Sequence, residues 1–372
     1  MSDYPFFDPN HGRTGAGARK KALIAMSGGV DSSLAAKLMR DRGFYCIGCT
    51  MKLYNNEDAG LERSRTCCSL DDVEDARNVA FKLGMPFYVF NFTDAFRDTV
   101  IRKFIESYEQ GITPNPCIDC NRYMKFDKLY ERAKILGCDY VVTGHYARIE
   151  EQDGKFVLKK ALDETKDQSY VLYSMTQRQL AHTVFPLGNM RKTQVRQRAG
   201  ECGFVNAKKP DSQDICFVPD GDYARFIQEY TGIVPERGDV IDSKGNVLGR
   251  HEGIINYTIG QRKGLGIAFG KPMYVIDKNL EDNTVTEGES EELFSDRLRA
   301  VQVNVITDLE LGKAVKCKAK TRYKQVEQAC EAVFYEDGTA EVLFEEPQRA
   351  VTKGQRVVFY DGDVVLGGGV IV

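Results

Sequence analysis

The first half of the chain alternates short apolar runs with stretches whose apolar residues recur at helical spacing, and this pattern limits the fold more than any other feature. Residues 21–26, 44–51, 86–92 and 139–143 read as strands. Between them Leu34, Ala35, Leu38 and Met39 share a helical face, as do Val73, Ala76, Ala80 and Leu83, and then Phe126, Leu129, Tyr130 and Ala133. Strands that are apolar throughout are buried on both faces, and parallel neighbours need a crossover helix between them. The expectation is an α/β domain built on a mostly parallel sheet. Ser69, with Asp72 three residues on, reads as the cap of the second helix.

The C-terminal part follows a different rule. Val315, Cys317 and Ala319 alternate with Lys316, Lys318 and Lys320, and Asp337-Gly338 and Asp361-Gly362 mark turns between strand-like runs. This predicts a small antiparallel β-barrel. A Gly-rich stretch, including Gly260-Gln261-Arg262-Lys263-Gly264-Leu265-Gly266, lies between the two halves. The expected division is a nucleotide-binding domain at 18–205, a small central domain at 206–285 carrying Cys216, and the barrel at 286–372.

Composition excludes several functions. No apolar run approaches the ~18 residues of a membrane span, and the first residues lack the apolar stretch of a signal peptide. A cytoplasmic protein with no membrane partner is expected. Its 11 cysteines are odd in number, so reduced thiols are the default and any pair must justify itself chemically. A formal net charge of -3 argues against indiscriminate polyanion binding, so any RNA contact must come from local patches.

The first strand runs into Ser27-Gly28-Gly29-Val30-Asp31-Ser32-Ser33 and then a helix. Adjacent glycines let backbone N–H groups converge, and the helix N-terminus adds partial positive charge, which together make an anion cradle. Ser27, Ser32 and Ser33 offer hydroxyl donors. Asp31 would repel a phosphate and makes sense mainly as a ligand of a magnesium ion bridging the phosphates. On geometry alone the segment reads equally well as a plain β–α turn, and neither G-x-x-x-x-G-K-[ST] nor G-x-G-x-x-G is present there.

Unpaired cysteine is often simply buried. Cys46, Cys49, Cys317 and Cys330 fall in strands, and Cys67, Cys68, Cys138 and Cys202 carry no special context. Cys117 and Cys120 differ: they sit in Pro114-Asn115-Pro116-Cys117-Ile118-Asp119-Cys120-Asn121-Arg122, where two prolines stiffen the approach to a helix and Arg122 and Lys125 favour a thiolate. Cys216, in Asp211-Ser212-Gln213-Asp214-Ile215-Cys216-Phe217, has acidic neighbours that explain no reactivity.

Ser-Gly-Gly-Val-Asp-Ser after a first strand resembles the motif of the PP-loop ATP pyrophosphatases. From there to the C-terminus the chain resembles the tRNA-specific 2-thiouridylases. The resemblance rests on Asn115-Pro116, Cys120-Asn121-Arg122, Thr143-Gly144-His145-Tyr146, Lys166-Asp167-Gln168-Ser169-Tyr170, Asp211-Ser212 through Cys216-Phe217, Gly260 to Gly264, Thr321-Arg322-Tyr323 and Leu366-Gly367-Gly368-Gly369. It implies that Ala25, Met26, Ser27, Gly28, Gly29, Val30, Asp31 and Ser32 bind ATP, accompanied transiently by Mg2+, with Met51 and Gly144 near the nucleotide. It implies a Cys216 persulfide, loaded by a cysteine desulfurase or sulfur-relay protein, and Cys120 as the second thiol, ending in a Cys120–Cys216 disulfide. It further implies tRNA contact through Asn115, Pro116, Cys117, His145, Lys166, Asp167, Gln168, Arg322, Tyr323 and Gln355. The family often has Asp at the position of Cys117, which leaves that base contact open.

Lys313, Lys316, Lys318, Lys320, Arg322 and Lys324 form a basic run with Tyr323 available for stacking, and Arg191, Lys192, Arg196 and Arg198 form a second cluster suited to phosphates. A plain solvated face is the ordinary reading of the first. Two rivals to a sulfur-transfer enzyme remain at this level: an iron–sulfur PP-loop thiolase using Cys117, Cys120 and Cys216 as ligands, and a non-catalytic tRNA-binding protein. A zinc site from Cys46, Cys49, Cys117 and Cys120 is a weaker idea.

Overall fold

The computed structural model describes residues 19–55, 70–207, 209–210, 215–266 and 270–372; Ser69, Cys67, Cys68 and Asp211 to Asp214 lie outside them. The chain divides into two compact units. The first comprises residues up to Thr99, Cys117–Gly221 and Asp363–Val365; the second comprises Val100–Pro116, Asp222–Gly362 and Leu366–Val372.

In the first unit, β1 (Lys21–Ala25), β2 (Tyr45–Lys52), β3 (Phe87–Asn91) and β4 (Tyr140–Val142) are followed by a hairpin, β5 (Arg148–Gln152) and β6 (Lys155–Lys159), and by the short β7 (Thr183–Val184). The main sheet has the order β3-β2-β1-β4-β7, and each neighbouring pair is parallel. Helices Val30–Asp41 and Leu70–Lys82 turn the predicted faces inward, burying Leu34, Ala35, Met39, Ala76 and Ala80. Each large apolar side chain removed from water in this way contributes about 1.5–3 kcal/mol. The chain winds outward from β1 through β2 to β3 and then returns to β4 on the other side. The order therefore reverses between β1 and β4, and the crevice at the carboxyl ends of those strands is where such sheets bind ligands.

The second unit contains a four-stranded sheet, β8 (Gly238–Asp242), β9 (Val247–His251), β10 (Tyr274–Asn279) and β11 (Thr284–Gly288), in the order β10-β11-β8-β9. It also contains β12 (Phe294–Val305), β13 (Ala314–Lys320), β14 (Gln328–Phe334), β15 (Ala340–Arg349), β16 (Arg356–Asp361) and β17 (Val364–Ile371), ordered β12-β15-β14-β13-β16-β17. Pairing of β12 with β17, Ala300 opposite Ile371 and Val301 opposite Val370, closes these six into the expected barrel. Phe334, Phe344, Val357 and Phe359 fill it.

Two segments group differently from the division read in the sequence. Helix Arg102–Glu109 belongs to the second unit because Tyr108 stacks on Tyr223 at 4.4 Å and Phe104 meets Phe226 edge-on at 6.3 Å. Cys216, assigned above to the central segment, belongs to the first unit, which continues to Gly221.

Candidate active site

The turn after β1 is held by its own polar groups. Gly28 adopts φ 73°, and a side chain there would run into the backbone of Asp72 at 2.3 Å, so both conformation and space require glycine. Ser32 Oγ accepts from Ser27 N at 3.2 Å and donates to Gly29 O at 3.0 Å, and Ser33 Oγ also donates to Gly29 O at 3.0 Å. The hydroxyls of Ser32 and Ser33, expected as phosphate donors, are therefore engaged in shaping the turn. Met26 and Val30 send their side chains into the core, leaving only backbone to face a ligand. No side chain caps the helix at Gly29, so the converging N–H donors at the start of Val30–Asp41 are suited to an anion.

Asp31 is the largest departure from expectation. Lys192 Nζ donates to both carboxylate oxygens, at 2.8 and 2.7 Å, and Tyr146 Oη donates to Oδ1 at 2.8 Å. Lys192 opens helix Lys192–Glu201 and is buried, its own N–H bonded to Asp163 Oδ2 at 2.8 Å. The acid thus carries a protein counter-ion in this structure. Among the described residues, no three His, Cys, Asp or Glu side chains come together as a metal-binding group. That holds equally for the cysteine ligand sets considered above.

Gly144, after β4, meets the same turn from the other side of the switch point. A Cβ on it would lie 2.9 Å from Asp31 C and Ser32 N. The next residue, His145, is buried between Phe126 and Phe185. Lys125 Nζ lies 3.4 Å from its Nε2, and Thr143 Oγ1 lies 2.7 Å from its Nδ1. An ammonium only donates, so Nε2 accepts and Nδ1–H donates to the hydroxyl. Burial, reinforced by the Lys125 charge, holds the imidazole pKa well below its usual value, and the ring is neutral. Gln168 Oε1 accepts from Tyr146 N at 2.9 Å and so braces the loop after Gly144, while Asp167 accepts from Ala161 N at 2.9 Å and Ser169 Oγ at 2.7 Å and ties its own turn to Ala161. Lys166 closes the adjoining helical turn Glu164–Lys166, half-buried, and Met51 is half-buried near the end of β2.

Cys120 begins a π-helical stretch, Cys120–Lys128, within a helical run that starts already at Pro116. Such stretches recur at functional sites. Cys117 is exposed, while Cys120 and Cys216 are half-buried. Cys216 is moored by its backbone: Tyr54 Oη donates to its carbonyl at 2.6 Å, Tyr54 packs on Phe96, and Phe96 meets Phe217. Tyr54 lies just beyond β2, so Cys216 is tethered at the sheet edge that also carries the glycine turn. By contrast, burial pushes the Cys46 thiol to about 12 and the Cys138 thiol to about 11, as the inert reading requires.

Three residues that close on the turn escaped sequence reasoning in that role: Tyr146, Lys192 and Asn206. Buried Asn206 donates from Nδ2 to Gly28 O and to Ser33 Oγ, both at 2.8 Å, and its Oδ1 has no partner among the described residues. No local signal marks an asparagine 178 positions away from the glycine it holds.

In the second unit, Arg322 Nη2 donates to Ile259 O, Ala350 O and Thr352 Oγ1 at 3.2, 2.8 and 2.9 Å. Gln355 Nε2 donates to Thr113 O and Pro114 O at 3.1 and 3.4 Å, fixing the strand of chain that presents half-buried Asn115 and buried Pro116. These two side chains bind protein carbonyls, whereas Tyr323 is exposed.

Fold and site together define a nucleotide-type α/β domain followed by two β modules. Residues 20–220 match the tRNA methyl transferase HUP domain, 224–289 the tRNA methyl transferase PRC-barrel domain, and 295–371 the aminomethyltransferase beta-barrel domain. The tRNA-specific 2-thiouridylase MnmA of Clostridioides difficile is 51% identical over 354 residues, covering 95% of this chain and 98% of that protein. Its namesake in Acetivibrio thermocellus is 50% identical over 359 residues, covering 95% and 99%. The chain belongs to the tRNA-specific 2-thiouridylase family. Although two of the domain models are described by methyl transfer, the thiouridylase relatives match across nearly the full length and set the family. No helix among the described residues is long and apolar enough to cross a membrane.

Proposed function

We propose that this protein is an ATP-dependent tRNA-uridine 2-sulfurtransferase acting in the cytoplasm on the wobble uridine of lysine, glutamate and glutamine tRNAs. The observation that carries this reading is the shared sheet edge: the glycine turn follows β1, and the Cys216 backbone is bonded to Tyr54 just beyond β2. The π-helical stretch that Cys120 opens is anchored there too, through Lys125 and His145.

A uridine carbonyl loses its oxygen only after conversion to a phosphate ester. The C2 oxygen attacks the α-phosphorus of ATP and pyrophosphate leaves; Ala25 to Ser32 position the phosphates, with Met51 and Gly144 bordering the nucleotide. Magnesium would arrive with the triphosphate, since Asp31 is already neutralised by Lys192. A cysteine desulfurase or sulfur-relay protein supplies the terminal sulfur of a Cys216 persulfide. That sulfur bonds to C2 and AMP departs with the oxygen, while the Cys120 thiolate attacks Cys216 Sγ and breaks the S–S bond. Release of the same sulfur as hydrosulfide before attack gives an equal balance. Either route leaves a Cys120–Cys216 disulfide that a dithiol must reduce. Excluding water keeps the persulfide from being lost.

For tRNA, Asn115, Pro116 and Cys117 contact the target region, and Lys166 and Tyr323 offer charge and stacking. His145, Asp167, Gln168, Arg322 and Gln355 act by holding those segments in place. The test is nucleoside mass spectrometry of tRNA incubated with protein, ATP, magnesium and a persulfide source. Cys216→Ser and Cys120→Ser should each abolish 2-thiouridine, and Cys117→Ser should only weaken its formation. Complete loss with Cys117→Ser and retention with Cys120→Ser would reverse the assignment of the second thiol.

A further inference from the structure

Cys317 and Cys330 face each other across the ladder between β13 and β14, in direct register, with their sulfurs 3.7 Å apart. Residues opposed in this way on antiparallel strands have Cα atoms about 4.5–5.5 Å apart, inside the ~4.4–6.8 Å that a disulfide spans. Both side chains lie on one face, so closing the gap asks for side-chain rotation and no slip of the strands. Cys330 is sealed in the barrel core beside Phe344 and Phe359, while Cys317 is half-exposed.

We propose that Cys317 and Cys330 are a reversible dithiol site, separate from the thiols of sulfur transfer, that is oxidised to an intramolecular disulfide by small disulfides of the glutathione type. Access sets the order of events. The Cys317 thiolate attacks one sulfur of the oxidant, whose S–S bond breaks and releases one thiolate, leaving a mixed disulfide on Cys317. Cys330 then gives up its proton and attacks Cys317 Sγ, expelling the second small thiol. Two protein thiols are oxidised and one small disulfide is reduced to two thiols. The hydrogen bond to Cys317 and burial hold the Cys330 thiol high, so Cys330 acts second, driven by contact and not by its own ionisation.

The chain itself supplies a clean readout. Glu310, Glu327 and Glu331 are the glutamates bounding the two sites, so cleavage after glutamate puts Cys317 on peptide 311–327 and Cys330 on peptide 328–331. The full-length protein is incubated with glutathione disulfide, alkylated, digested without reduction and mapped by mass spectrometry. The expected result is a crosslinked pair of those peptides that a dithiol dissolves, and, in Cys330→Ser, a glutathione adduct trapped on Cys317. The proposal is overturned if both cysteines of the folded wild-type protein remain fully alkylated while other thiols of the same sample oxidise. It is equally overturned if Cys317 crosslinks to any cysteine other than Cys330.

Discussion

Replacing Lys192 by methionine removes one ammonium and keeps the aliphatic stem, so the perturbation is electrostatic. In the native turn that ammonium lies 2.7 and 2.8 Å from the two Asp31 oxygens. Without it the carboxylate retains the Tyr146 hydroxyl at 2.8 Å and faces the triphosphate uncompensated. A unit charge about 6 Å from a phosphate oxygen, at an effective dielectric of about 20, costs about 3 kcal/mol, or about 100-fold in affinity. Stability should fall less. Breaking a fully buried pair costs about 3–5 kcal/mol, but the Asp31 side chain is 29% exposed, which discounts the loss to about 1–2 kcal/mol. The assay is AMP formation against ATP concentration in the presence of tRNA and a persulfide source, with a thermal melt as the check on folding. KM for ATP should rise about 100-fold, and the double variant Asp31→Asn/Lys192→Met should recover most of it because the offending charge leaves with its partner. If the double variant is as poor as Lys192→Met, Asp31 is needed for itself, as a metal ligand would be. Neutralisation would then be the wrong account of the pair.

Gly144→Ala places a methyl 2.9 Å from the backbone of Asp31 and Ser32, so the turn must shift; activity should drop at least about tenfold with about 1–3 kcal/mol of destabilisation, and a variant within twofold of the parent would refute the close approach. Tyr54→Phe removes the donor to the Cys216 carbonyl, worth about 1 kcal/mol; single-turnover thiolation should slow about fivefold with KM for ATP unchanged, and an equal change in that KM would argue against a role confined to Cys216. His145 has a folded-state pKa well below its unfolded value, so its contribution to stability is complete above pH ~6.5 and is lost as pH falls through the folded pKa, at about 1.4 kcal/mol per pH unit inside that window. His145→Gln should flatten this acid dependence, and an NMR titration of the wild-type imidazole with a midpoint near 6.5 would contradict a neutral buried ring.

What the sequence made legible was local. Strand periodicity, the inward faces of helices Val30–Asp41 and Leu70–Lys82, and the glycine turn all reside in contiguous residues, where alternation and backbone freedom leave a direct trace. What it hid was long-range. Lys192 read as part of a basic cluster for RNA because nothing nearby connects it with an acid 161 positions away, and Asp31, seen without that partner, appeared to demand a metal. Arg322 and Gln355 are placed against tRNA by the resemblance alone, and no local signal shows that each also has carbonyls to satisfy in its own unit. Phe104 and Tyr108 show an amphipathic helix, but periodicity does not say which body an apolar face will choose.

The sorting of thiols by burial bears on how the proposed persulfide cycle would keep its sulfur in a chain with this many cysteines. Exchange requires a thiolate, and a thiol raised to about 12, as in Cys46, presents about one thiolate in 10^5 at pH 7. Cys138, at about 11, presents about one in 10^4. In the proposed cycle these thiols would compete poorly for the Cys216 sulfur. Cys117 is exposed and lies three residues before Cys120 in the chain. In the proposed cycle, sulfur that misses Cys120 would have Cys117 as the next accessible thiol in the chain. Cys117→Ser should therefore raise the share of consumed persulfide that ends as 2-thiouridine even as it slows the reaction, and a lower share would show that Cys117 passes sulfur on instead of diverting it.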